Sequence, residues 1–263
     1  MHGISPVDPG REIDWGKTTE DYSLFRPGPP DGFYERLKVM GVGLPQQKIL
    51  DFGTGTGVLA RRFAQQGSEV CGIDISEGQI AAAKKLAEES RLNISFQVSP
   101  AEKTPFADQS FDVVTANQCW LYFDKAKTIA EVRRLLKPGG VLMTSHYSWM
   151  PRLDEVARKM EELVLQHNPQ WTANDWNGNI PAQPDWTAKD FNVKAMFYYD
   201  YPVPFTHESW RGRVRACRGV GAGLDPDAVK KFDEAHCEML KRLVPNEFTV
   251  LHRIDAHFFV FKS

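Results

Sequence analysis

Between residues 48 and 147, short apolar runs alternate with amphipathic stretches. KILDFG (48–53) is a β run closed by glycine, and VLARRFAQQG behind it places Val58, Leu59, Phe63 and Ala64 at helical spacing. EVCGID (69–74) predicts a second strand ending in Asp74, after which Ser76 caps an Ala-rich helix. ISFQVS (94–99) and SFDVVTAN (110–117) predict a third and a fourth strand. KAKTIAEVRRLLK (125–137) carries Ile129, Val132, Leu135 and Leu136 on one face and stops at Pro138, Gly139 and Gly140. VLMTSHY (141–147) predicts a fifth strand, with His146 at its end. Strands and helices alternating at this spacing imply βαβ units, a parallel sheet and right-handed crossovers, which is a doubly wound α/β core.

Beyond residue 147 the pattern changes. LDEVARKMEELVLQH (153–167) is a helix candidate, followed by a loop-like stretch with Trp171, Trp176 and Trp186 among Asn, Pro, Gly and Asp. Long connections of this kind are functional lids or disordered, and the tryptophans favour order. VKAMFYYDYPVPFT (193–206) predicts a strand, ESWRGRVRACRGV (208–220) and DPDAVKKFDEAHCEMLKRL (225–243) two helices, and FTVLHRIDAHFFVFK (248–262) a closing strand. The chain thus divides into an N-terminal segment (1–45), the α/β core (46–147), an insertion (148–192) and a C-terminal part (193–263).

At 263 residues with 42% hydrophobic and 25% charged positions, the composition is that of a globular protein with a sizeable core. Lys and Arg number 32 against 34 Asp and Glu, a net charge of -2, so no global field attracts nucleic acid or an anionic membrane. The four cysteines, Cys71, Cys119, Cys217 and Cys237, form no CxxC pair, which argues against a zinc site or a disulfide framework and for free thiols. The N-terminal stretch is polar and rich in Gly and Pro, and no run reaches the ~18 apolar residues of a membrane span. The expectation is a soluble, cytoplasmic protein without a metal.

Gly53, Gly55 and Gly57 follow the first strand. A dinucleotide loop reads GxGxxG, and Val58 occupies the place of its third glycine. A GxxxxGK[ST] phosphate loop is absent as well, because no Lys-Ser or Lys-Thr follows Gly57. Neither phosphate motif is satisfied. Glycines admit close backbone approach, the following helix N-terminus favours a carboxylate, and Asp74 at the end of the second strand is placed for ribose hydroxyls.

DxGxGxG after the first strand, the acid ending the second, FDVVTANQCWLYFD and LLKPGGVLM together resemble the class I S-adenosylmethionine-dependent methyltransferases. The resemblance covers residues 48–147 and is nearest the small-molecule branch called methyltransferase type 11 (trans-aconitate methyltransferase-like). It implies a Rossmann-like seven-stranded sheet of order 3-2-1-4-5-7-6, strand seven antiparallel, with a helical N-terminal lid and residues 148–192 as an inserted cap. It also implies S-adenosylmethionine as cofactor and a small-molecule acceptor, partly aromatic or apolar. Asp51 and the loop Gly53, Thr54, Gly55 and Gly57 would surround the amino-acid tail, and Asp74 would bind ribose. Ile75 would pack on adenine, Ala101 and Glu102 would lie beside its amino group, and Asn117 and Gln118 would face the methionine part. In SPAEKTPF, Pro100 replaces an acid common in the family, and in QCWLYFD, Leu121 stands where a His is frequent. DWGKTTEDYSLFRPGPP (14–30) resembles the lid segment, which brings Tyr22 and Arg26 toward the cofactor.

Plainer roles stand beside these. Tyr22 and Arg26 serve equally well to pin the N-terminal arm, Glu102 as a loop acid, and Trp149, Trp171, Trp176, Trp186 and Trp210 as packing. His146 and Tyr147 are the candidates for a general base, with a structural role as the alternative for His146. Arg211, Arg215 and Arg218 share a helical face that is either solvated or receives a carboxylate. The acceptor atom stays open among oxygen, nitrogen, sulfur and carbon. The rivals are a module that binds the cofactor without transferring methyl, a tRNA-modifying relative, and an NAD-dependent oxidoreductase, which Val58 contradicts.

Overall fold

The structure is a computed structural model that describes residues 15–25 and 28–262. Strands β1 (Lys48–Phe52), β2 (Glu69–Asp74), β3 (Ser95–Val98), β4 (Phe111–Asn117), β5 (Leu136–Trp149), β6 (Phe191–Thr206) and β7 (Glu247–Phe261) form one mixed sheet in the order β3-β2-β1-β4-β5-β7-β6. The pairings β1 with β2, β1 with β4, β2 with β3 and β4 with β5 are parallel. On β5 and β7, His146 meets Asp255 while Met150 N–H donates to the Leu251 carbonyl, so numbers fall along one strand as they rise along the other. Lys262 against Asp190 and Arg253 against Asp200 show the same opposed numbering for β6 and β7. Strand seven is therefore antiparallel to both neighbours, as expected.

Eight α-helices are described: α1 (Thr19–Phe25), α2 (Asp31–Val39), α3 (Val58–Gln65), α4 (Glu77–Glu89), α5 (Lys125–Leu135), α6 (Glu155–His167), α7 (His207–Arg215) and α8 (Pro226–Leu243). Caps match the sequence: Ser76, Asp124, Asp154 and Asp225 each accept from the backbone amide three residues on. Two boundaries moved. The fifth strand begins at Leu136, because Pro138 bars helical backbone at Lys137, and it runs on to Trp149, so His146 lies inside it. The helix expected over 208–220 ends at Arg215, where Gly221 folds back and donates to the Arg215 carbonyl at 3.0 Å. Arg218 is thereby off the helical face that carries Arg211 and Arg215.

The chain forms two compact units. One comprises residues 28–147, 180–198 and 254–263. Its core is built from β1 and β4, buried nearly throughout, as a sheet covered on both faces requires, and from Trp120, Phe191 and Phe259. Trp186 lies tilted against Trp120 with ring centroids 4.7 Å apart. The other unit comprises residues 1–27, 148–179 and 199–253, where α6 and α7 pack on α8 and α1 packs on α7. Here Trp149 donates to Glu161 at 2.7 Å and meets the buried Trp210 edge-on. Arg215 grips Asp21 through two nitrogens and Arg211 and Arg215 share Asp233, so this cationic face is neither solvated nor open to a carboxylate. The four cysteines are unpaired. No helix among the described residues is long and apolar enough to cross a membrane.

His236 on α8 is fully buried, with neither ring nitrogen partnered among the described residues. Burial pushes its imidazole down to about 3; Asp233 opposes this, while Arg211 and Arg215 reinforce it. The unfolded chain binds a proton near pH 6.5 and the folded chain does not, so stability is lost as pH falls from about 6.5 toward 3. Urea unfolding of the chain and of His236→Leu should diverge on acidification, the wild type losing up to about 1.4 kcal/mol more per pH unit below 6. Equal slopes would rule out this role for His236.

Candidate active site

The turn leaving β1 consists of residues whose backbone only glycine adopts without strain. Gly53, Gly55 and Gly57 have φ of 56°, 55° and 77°, all left-handed. Space is short as well: a Cβ on Gly53 would lie 2.7 Å from that of Cys119, and one on Gly57 2.9 Å from the Phe96 ring. The turn delivers the chain to the N-terminus of α3, where Gly57 caps without a side-chain hydrogen bond.

Two carboxylates hold this turn. Asp51, 2% exposed, is a register partner of Thr115 across β1 and β4 and accepts its hydroxyl at 2.6 Å and that of Thr54 at 2.7 Å. Burial pushes Asp51 up to about 6, against the hydroxyl bonds, and the neighbouring Asp74 adds to the rise. Asp74, ending β2, accepts the Gly55 amide on one oxygen at 3.0 Å and the Ser76 amide on the other at 2.9 Å. Desolvation raises it despite these bonds. Arg61 on α3 donates to the Thr56 carbonyl, and among the described residues no carboxylate pairs with it.

Around this centre the remaining expected residues take distinct positions. Ile75 is 59% exposed beside Asp74, and Val98, the register partner of Asp74, is 50% exposed, so two apolar side chains stand open at adjacent strand ends. Ala101 is buried, while Glu102 accepts the Asp124 amide at 3.0 Å, a link across two loops. Asn117 accepts the Ser145 hydroxyl at 3.0 Å. Gln118 is left-handed at φ 64°, uncommon for a residue with a side chain. Its backbone amide donates to the Ser145 carbonyl at 2.9 Å and its side-chain amide to the Tyr147 carbonyl, bracketing His146. Tyr147 is buried. The side chain of Tyr22 and all of Arg26 lie outside the described residues.

Sequence reasoning passed over Asp255, the partner of His146, and His257 on its far side. His146 Nδ1 lies 3.2 Å from both oxygens of Asp255, a carboxylate with 1% of its side chain exposed. On the far side, His257 Nδ1 lies 3.5 Å from Asp255 Oδ2, and His257 Nε2 lies 2.9 Å from the Pro181 carbonyl. Burial alone would raise Asp255; the hydrogen bonds from His146 and His257 outweigh it and hold the carboxyl below its ordinary value. The one signal in the letters is the alternation of Asp255 and His257 in a closing strand, which puts both on one face.

A family model described as a methyltransferase domain matches residues 45–200, more than half of the chain. An uncharacterized methyltransferase, YcgJ of Bacillus subtilis, is 30% identical over 183 residues, 66% of this chain and 68% of its own length. A ubiquinone biosynthesis O-methyltransferase of Saccharophagus degradans is 36% identical over 136 residues, and the match spans 50% of this chain and 56% of that one. Among solved structures, phospholethanolamine N-methyltransferase 2 of Haemonchus contortus shares the fold with a TM-score of 0.56 at 20% identity, over 95% of this chain and 57% of that one. The chain belongs to the methyltransferase domain family.

Proposed function

We propose that this methyltransferase moves a methyl group from S-adenosylmethionine to a small-molecule acceptor by in-line displacement. The observation that carries the reading is the lock between the Gly55 amide and the Asp74 carboxylate beneath three left-handed glycines, with Val58 in place of a dinucleotide glycine. The residues fit the cofactor. A carboxylate offers about four lone-pair positions, and the backbone amides of Gly55, Ser76 and Ile75 engage Asp74 without filling them all, which leaves acceptor capacity for a ribose hydroxyl. Ile75 and Val98 offer apolar surface for an adenine, and the free N-terminus of α3 offers amides to the tail carboxylate.

On this reading Asp51, Gly53, Thr54, Gly55 and Gly57 form the tail site, Asp74 holds the ribose, and Ala101, Glu102, Asn117 and Gln118 line the remainder. When bound, the cofactor supplies a methyl group activated by a sulfonium. The chain contributes alignment and exclusion of water, which suffice for most of the rate of such a displacement. Further support comes from the Haemonchus enzyme, solved with S-adenosylhomocysteine and phosphomonomethylethanolamine, and from the O-methyltransferase name of the Saccharophagus relative. Unpaired thiols and the lack of a described membrane-crossing helix suit a cytoplasmic enzyme.

Thermal-shift titration with S-adenosylmethionine, S-adenosylhomocysteine, NAD and NADP should show stabilisation by the first two; stabilisation by NAD alone would overturn the reading. Asp74→Ala should weaken S-adenosylhomocysteine binding by an order of magnitude or more, because a hydrogen bond to a charged group contributes roughly 1.5–3 kcal/mol. Isothermal titration measures the affinity, and the ligand-free melting curve keeps loss of loop anchoring apart from loss of contact. Unchanged affinity would remove Asp74 from the site.

A further inference from the structure

Three ionisable side chains on β5 and β7 are strung together at the same sheet edge as the glycine turn, and the turn's own residues do not use them. In the parallel registers, Asp74 aligns with the residue after Phe52, with Asn117 and with Ser145. Ser145 is therefore three strand spacings from Asp74, about 14 Å at ~4.8 Å each. His146 follows it, bracketed by the two hydrogen bonds from Gln118. A ligand whose ribose rests at Asp74 and whose tail crosses β1 toward β4 thus presents its reacting end toward β5.

The hydrogen bonds decide which nitrogen of His146 is open. Asp255 engages Nδ1 at 3.2 Å and is a pure acceptor when ionised, so the ring proton resides on Nδ1 and the Nε2 lone pair is free. About a third of the His146 side chain is exposed, against 3% for His257. His257 has its Nε2 proton fixed by the Pro181 carbonyl, which only accepts. Its Nδ1 faces Asp255 Oδ2 at 3.5 Å. Asp255 is held from behind and orients His146 in front.

We propose that His146 Nε2 is the base that removes the acceptor's proton, kept in its productive tautomer by Asp255 as a positioning residue and by His257 behind it. The inference rests on the methyl-transfer reading and narrows the acceptor to a group protonated at neutral pH, a hydroxyl or an ammonium. As the acceptor atom bonds to the methyl carbon, the carbon–sulfur bond breaks and its electron pair stays on sulfur, which becomes a neutral thioether. The acceptor's proton passes to His146 Nε2, and the imidazolium returns it to water. A thiolate acceptor would need none of this.

The tautomer is readable without any acceptor. Long-range 15N–1H correlation spectra of the full chain labelled at histidine, with His146 assigned through His146→Gln, should show the Nδ1–H form. Asp255→Ala should shift His146 to the Nε2–H form usual for free imidazole, and Asp255→Asn, whose carbonyl can still accept from Nδ1, should restore Nδ1–H. An Nε2–H form in the unaltered chain, or a tautomer indifferent to Asp255→Ala, would overturn the proposal; if the alanine variant does not fold, the unaltered chain and Asp255→Asn still decide it. With catechol and ethanolamine as acceptor probes, Asp255→Ala should lower kcat roughly 10²-fold or more, Asp255→Asn less, and neither should change S-adenosylhomocysteine affinity. Undiminished kcat in Asp255→Ala would count against it. Failure of S-adenosylhomocysteine to bind at all would instead sink the methyl-transfer reading.

Discussion

The structure depends on a turn that cannot hold itself. Three alternate left-handed glycines have no side chains with which to fix their own path, so the geometry of the loop after β1 is imposed by Asp51 and Asp74. Asp51 ties Thr54 to β4 through Thr115, and Asp74 ties Gly55 to the cap of α4 through Ser76. Both carboxyls are raised by burial, and Asp51 is raised further by Asp74. A buried acid whose folded value lies near 6 costs stability when ionised at neutral pH, and this cost is relieved as pH falls through 6 toward 3.8. The core strands therefore carry a buried, charged element that costs stability at neutral pH. Such an arrangement persists where a ligand makes use of it.

From that anchor the rest of the edge follows by register. Parallel pairing makes the ends of β2, β1, β4 and β5 advance in step, so one fixed point at Asp74 sets the positions of Asn117, Gln118 and His146. Gln118 shows the local cost, because its left-handed backbone is kept by two hydrogen bonds to the end of β5. Those bonds join the residue after β4 to the strand that carries the imidazole. Displacement at a methyl carbon needs alignment above all, and a rigid row of strand ends delivers it better than loops would.

Most of the first half of the chain was legible in the letters. Period-two and helical spacing located β1 to β4 and α3 to α5 to within a residue or two, because each is a local pattern closed by glycine, proline or a capping side chain. The ends that shifted were decided by contacts outside the element. Leu136 and Lys137 carry helical spacing yet are drawn into β5 by Pro138, and α7 ends where Gly221 folds back over it. Arg211 and Arg215 looked like an open cationic face; Asp233, 18 and more residues away in sequence, and Asp21, nearly two hundred away, neutralise it. Ion pairs of such separation leave no periodic trace.

The same reasoning explains why His146 was visible as a candidate while its partners were not. Its place at the carboxyl edge of the fifth strand is a local fact, but Asp255 is 109 residues further on and reaches it only because β7 inserts antiparallel between β5 and β6. That reversal aligns Asp255 with His146, and the two-residue strand period puts His257 on the same face behind it. An ordinary αβ repeat would have continued the sheet in parallel and left the imidazole without a carboxylate. The late strand thus does two things at once. It closes the sheet with Phe259 packed into the core, and two residues away on either side of His257 it presents alternately a polar anchor and an apolar one. The pairing of His146 with a carboxylate is in this sense a property of the topology, and no substitution confined to the glycine turn would create or remove it.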